Sequence, residues 1–229
     1  MSKKINVLGI FIDQYYTDDI LVRIADDWQN EGLSTYGVIT MNLLMTAKEN
    51  PDIKRFIEEL DVSIIGEAEV LEAAGIEDEK MIKEVSSRKF FRRFFSQISE
   101  EGNSVFLLGE GKEQVDAFYK YLLNDYPKLI AAGSDYLDCD KADSADRVIN
   151  EINSLLPELV ITCADSVEMK KFVMENRKKM NAKIWISLPF ESLAKNDIGL
   201  KSSWLSKLLK KTTFKKMVST YNSKKENDS

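Results

Sequence analysis

Seven short runs of β-branched and aliphatic residues punctuate this chain, and their spacing constrains the fold more than any other feature. They fall at 5–12, 36–41, 62–65, 105–108, 129–132, 159–162 and 184–188. Several are apolar almost without interruption, the pattern of strands covered on both faces of a parallel sheet. Helical periodicity fills the intervals, at 18–30, 42–59, 78–99, 112–124, 142–155 and 166–180. Strand and helix alternating in this way predict an α/β fold with a doubly wound, mostly parallel, Rossmann-like sheet. Ligands of such sheets bind beyond the carboxyl ends of the strands, so the residues just after each strand are where chemistry is sought.

Histidine is absent from all 229 residues. That excludes a Ser-His-Asp triad, a histidine zinc site and an imidazole proton shuttle, and leaves Asp, Glu, Lys, Cys or Tyr as acid or base. Two cysteines, Cys139 and Cys163, cannot build a disulfide framework and fit a reducing compartment.

Charge is unevenly distributed. The chain has 32 Lys+Arg against 38 Asp+Glu, a net of −6. Residues 195–229 hold nine lysines against Asp197, Glu226 and Asp228, so the tail is basic and the body carries all the negative excess. An acidic body argues against nucleic-acid binding, which depends on basic residues releasing counterions. A basic end suits an anionic surface. The opening Met1-Ser2-Lys3-Lys4 and the apolar run broken at Asp13 do not read as a signal peptide, and no apolar stretch reaches the roughly 20 residues that span a bilayer. The expectation is a cytoplasmic protein, peripheral at the inner face of the membrane. It divides into an α/β body at 1–195, a basic amphipathic appendage at 196–221 and a frayed, disordered tail at 222–229.

Four segments carry a resemblance. Val38-Ile39-Thr40-Met41-Asn42 ends a strand and is followed by Ala47 and Asn50-Pro51. Val105-Phe106-Leu107-Leu108-Gly109 precedes a helix closing in Tyr126-Pro127. Ile149-Asn150-Glu151-Ile152-Asn153-Ser154 leads into Pro157-Glu158-Leu159-Val160. Gly199-Leu200 precedes Trp204-Leu205-Ser206-Lys207-Leu208-Leu209. In order and spacing these resemble the WecG/TagA/CpsF glycosyltransferases (family 26), which extend lipid-linked sugars in bacterial surface-polymer assembly. The resemblance implies a nucleotide-sugar donor, a lipid-linked saccharide acceptor and a mechanism without metal or other cofactor. It places Thr40 and Asn42 at the substrate and Arg88 ahead of a further substrate segment. It gives the appendage cations that complete the site over the diphosphate, with Lys207 in line with one of them and Lys211 and Lys215 nearby.

The family's Asp-Gly pair after the third strand supplies the base that acts on the acceptor hydroxyl. Here Ile64-Ile65-Gly66-Glu67-Ala68 makes Glu67 the candidate catalytic base. Its extra methylene shifts the oxygen by about a bond length, a misplacement that can cost ~10²-fold. The family's Gly-x-Pro-Lys-Gln-Glu segment has become Cys163-Ala164-Asp165-Ser166-Val167-Glu168, in which Asp165 and Glu168 read as a capping box. These departures keep a second expectation open: a catalytically inactive scaffold that partners an active glycosyltransferase or a membrane complex; a homo-oligomer is a further expected partnership.

Other motifs have plainer readings. The phenylalanines of Lys89-Phe90-Phe91-Arg92-Arg93-Phe94-Phe95 share one helical face and read as core. Gly109-Glu110-Gly111-Lys112 lacks the further glycines of a phosphate loop and reads as a turn. Asp138-Cys139-Asp140 lies among other acidic residues and reads as a solvated loop rather than a metal site. Cys163 reads as a small buried apolar residue.

Overall fold

A computed structural model describes residues 3–164, 166–189 and 204–227. The body is one parallel sheet of six strands: β3 (Ser34–Ile39), β4 (Val62–Ile65), β5 (Ser104–Gly109), β6 (Ile130–Tyr136), β7 (Leu159–Thr162) and β8 (Ile184–Ser187). They lie side by side in the order β4-β3-β8-β7-β5-β6. α1 (Thr17–Gln29) precedes them, and between them run α2 (Met41–Glu49), α3 (Pro51–Glu59), α4 (Ala68–Ala73), α5 (Glu79–Ser86), α6 (Lys89–Glu101), α7 (Lys112–Asp125), α8 (Ser144–Leu155) and α9 (Val167–Asn176). The last helix, α10 (Trp204–Asn227), continues past the point where the sequence places a frayed tail.

Both faces of the sheet are covered. Trp185 joins an apolar cluster with residues of α2, α3, α8 and α9, while its neighbours Ile184 and Ile186 join another with α1, α6 and α7. This alternation explains the unbroken apolar runs of the central strands, whose two faces both lie in core. The phenylalanine stripe, Phe90, Phe91, Phe94 and Phe95, is buried on α6 as the periodicity predicts.

The structure corrects the sequence reading at three places. The 5–12 run is no strand of the main sheet; it folds into an antiparallel hairpin, β1 (Lys3–Val7) and β2 (Ile10–Gln14). Leu8 and Gly9 both have positive φ, 56° and 82°, the geometry of a two-residue turn that matches strand twist. Asn6 Oδ1 accepts from the Gly9 N–H at 3.1 Å and fixes it. The 42–59 helix is two helices, because Asn50 accepts from the Asp52 and Ile53 amides and Pro51 opens α3. The 78–99 helix likewise breaks at Arg88, which takes a left-handed φ of 54°. One short helix, α4, has no counterpart in the sequence reading.

Candidate active site

The carboxyl ends of β3 and β4 meet at the amino end of α2. Thr40 ends β3 and caps α2, its Oγ1 accepting from the Leu43 N–H at 3.1 Å. Glu67 follows β4 and stands at the amino end of α4. Its side chain reaches across to α2, where Oε2 accepts from the Met41 N–H at 2.7 Å. A half-buried carboxylate therefore sits on the first amide of a helix, where the backbone dipoles favour negative charge. Asn42 is exposed on the first turn of α2. Thr40, Asn42 and Glu67 are thus brought together by two neighbouring strands, although they are 27 positions apart at most.

Arg88 approaches from another side. It lines a cavity of about 20 Å³ with Tyr15, Thr17, Gly66, Glu84 and Phe91. That volume suits about one water and is far too small for a sugar. The cavity's carboxylate is committed: Glu84 accepts from the Thr17 N–H at 2.9 Å and from Lys89 Nζ at 2.8 Å. Burial by itself pushes the Glu84 carboxyl up, but Lys89 and Thr17 together hold it below its ordinary value.

The appendage reaches the same neighbourhood. Phe214 of α10 is fully buried in the cluster shared by α2, α3 and α4, and Met217, Val218 and Tyr221 pack beside it. This brings Lys211 Nζ within 3.2 Å of Glu69 and 3.7 Å of Glu72, and Lys215 Nζ within 3.2 Å of Glu72. Burial works against the charged form of Lys211, yet these carboxylates raise its affinity for the proton. Two of the expected cations are therefore delivered to α4, the helix that begins after Glu67, and are paired there. The Lys207 side chain lies outside the described residues, as do those of Trp204, Leu205 and Leu208. Glu69 and Glu72 were not singled out from sequence; their three-residue spacing on one helical face was the available signal.

A second locus lies at the switch point of the sheet. β5 and β7 are neighbours, and the helices that follow them, α7 and α9, pack in opposite clusters. Here Ser166 caps α9, accepting from the Met169 N–H at 3.0 Å, one position after the expected cap at Asp165, which lies outside the described residues. The Ser166 N–H donates to Glu110 Oε1 at 3.1 Å, so a carboxylate of the chain itself occupies this helix end. Burial, Glu168, Glu110, Asp140 and Asp138 push up the pKa of the nearby Cys139 thiol, a sign of negative potential. Asp138 is tied to its own loop through the Asp140 N–H and Lys141.

The comparison with known families now falls on this geometry. A model of the glycosyl transferase WecG/TagA/CpsF family matches residues 5–189. The chain belongs to that family. The match begins within the hairpin, takes in every strand of the six-stranded sheet and Thr40, Asn42, Glu67 and Arg88, and ends before α10. No curated protein matches the chain. Among the described residues, no helix of this family member is long and apolar enough to cross a membrane.

Proposed function

We propose that this chain transfers a sugar from a nucleoside-diphosphate donor, of the UDP class, to a lipid-linked saccharide acceptor at a membrane surface. The reading rests above all on the Glu67 carboxylate, held by the Met41 amide where the carboxyl ends of β3 and β4 meet. Glu67 takes the proton of the acceptor hydroxyl as that oxygen bonds to the anomeric carbon. The bond from that carbon to the diphosphate breaks, and its electron pair leaves with the nucleoside diphosphate. Thr40 and Asn42 line the acceptor side, and Arg88 adds positive charge beyond Gly66. Lys211 and Lys215 exchange Glu69 and Glu72 for the departing phosphates. The remaining lysines of α10 favour an anionic cytoplasmic leaflet, on which the protein rests peripherally.

Replacement of Glu67 by Gln tests this. The amide still accepts from Met41, so the fold is retained, while sugar transfer falls by about 10²-fold or more. Undiminished transfer in E67Q refutes the assignment.

A second reading has its own support. Lys211 and Lys215 are already neutralised, and Glu110 occupies the α9 terminus at the switch point. Both features suit a scaffold that has lost catalysis and partners an active glycosyltransferase. Titration with UDP or a UDP-sugar separates the two: micromolar binding supports the transferase, and no binding at millimolar ligand supports the scaffold.

A further inference from the structure

The lysines of α10 fall into two sets. Lys211 and Lys215 reach α4 and are paired there with Glu69 and Glu72. Lys216 and Lys224 lie on the far side of the helix, as about 3.6 residues per turn requires, and line an open groove of about 430 Å³ between α10, α2 and the hairpin turn. From α2 comes Lys48, whose Nζ stands 4.9 Å from the centre of the Tyr221 ring. The volume lies within the range of small-ligand sites, about 300–1,000 Å³. Among the described residues, no carboxylate pairs with Lys48, Lys216 or Lys224. Glu49 also lines the groove, so three cations face one anion there.

Much of the remaining wall is apolar. Leu8 is buried, and Met217 and Tyr221 are half-buried. The Tyr221 hydroxyl rests on the hairpin turn, where a Cβ at Gly9 would fall 3.0 Å from it. Leu209, 66% exposed, lies two turns before Lys216 and shares its side of the helix. An exposed leucine, a half-buried tyrosine and unpaired lysines on one side of a helix suit the boundary between lipid headgroups and chains. The opposite side is already committed, because fully buried Phe214 anchors it in the body.

We propose that this groove binds the phosphate of an anionic membrane lipid, which bridges Lys48 of the body to Lys216 and Lys224 of α10 and clamps the helix in place. The phosphate offsets the repulsion among lysines that two helices bring together. The glycerol and upper chain of the lipid lie against Met217 and Tyr221, and Leu209 enters the same layer. A free phosphate has the charge without the apolar part, so the groove suits a lipid better. The bridged site exists only while α10 is docked, and lipid binding therefore stabilises docking. The inference rests on the membrane placement proposed above and not on the role of Glu67.

Hydrogen exchange over residues 209–225 of the full chain, read beside vesicle flotation, tests this. Vesicles of phosphatidylcholine mixed with phosphatidylglycerol carry the chain and slow its exchange by about tenfold or more. Vesicles of phosphatidylcholine alone do neither. Lys48→Gln, a change on the body, removes most of the slowing. Lys216→Gln and Lys224→Gln each weaken flotation by about fivefold, the worth of one lysine at an anionic surface. Lys120→Gln, at an exposed lysine of α7, alters neither readout. Exchange that quickens on the vesicles overturns the inference, since α10 then leaves the body to bury Phe214 in lipid. So does a wild type that fails to float with phosphatidylglycerol, flotation without slowing, full slowing in Lys48→Gln, or slowing by inorganic phosphate alone. None of these readouts involves sugar transfer, so this assignment and that of Glu67 fail separately.

Discussion

What holds α10 on the body is settled by comparing its two kinds of contact. The ion pairs are partly solvated: the side chains of Lys211 and Glu69 are 34% and 18% exposed, and those of Lys215 and Glu72 are 58% and 45%. Pairs of this kind contribute about 0–1 kcal/mol each. Phe214 is 0% exposed, and truncating a buried phenylalanine to alanine costs about 3–5 kcal/mol. Hydrophobic anchoring therefore outweighs the lysines. Phe214→Ala is expected to lower the docking equilibrium of α10 by roughly 10²-fold to several thousandfold, at about 1.4 kcal/mol per factor of ten. Hydrogen exchange over residues 209–225 reads this directly, and trypsin cutting after Lys210, Lys215 or Lys216 reads it by cleavage. Molar salt, with a Debye length of about 3 Å, removes the ion pairs and leaves the helix protected. Unchanged protection in Phe214→Ala, or release of α10 by salt alone in the wild type, refutes the reasoning.

Two further outcomes follow from the ground around Glu67. Gly66→Ala places a Cβ 2.5 Å from Val38 Cγ1 and 3.2 Å from the Ile39 carbonyl oxygen, and the backbone cannot yield as a side chain can. A loss of about 1–3 kcal/mol in denaturant unfolding is expected, and an unchanged midpoint counts against the packing described. Glu84, with its carboxyl held below the ordinary value, contributes stability above its unfolded pKa of about 4.3 that is lost as pH falls through the folded value. The melting temperature of Glu84→Gln should therefore fall less steeply than that of the wild type on acidification through that window; equal slopes refute the assignment.

The sequence carried the sheet well where burial on two faces leaves a continuous apolar run. The runs at 62–65 and 159–162 coincide with β4 and β7. It failed where one residue decides the geometry. Leu8 at positive φ hides a hairpin turn inside an apolar run, and Arg88 at positive φ splits an otherwise periodic helix. Both are residue types disfavoured in that region, so local preference points the wrong way and tertiary packing decides. α4, only six residues long, is too short to show a period. At the candidate site, Thr40 and Glu67 are singled out by a family pattern alone, and the bond from Met41 to Glu67 is invisible in sequence because it joins the ends of two strands. The partners of Lys211 and Lys215 were hidden for the same reason: Glu69 and Glu72 lie more than a hundred positions away.

These contacts make α4 the point at which the proposed chemistry converges. The switch-point helix end already carries Glu110 in an acidic setting, so an incoming diphosphate meets repulsion there. On the β3–β4 side, α10 supplies positive charge, and it does so only while Phe214 keeps it docked. Glu67 stands at the amino end of α4, while Glu69 and Glu72, two and five residues further on, hold the lysines. In the proposed transfer, a diphosphate competes with Glu69 and Glu72 on α4 for Lys211 and Lys215. On the function proposed above, donor binding is therefore coupled to the helix that begins after Glu67, and the transfer requires the phosphates' attraction for the lysines to exceed that of the carboxylates.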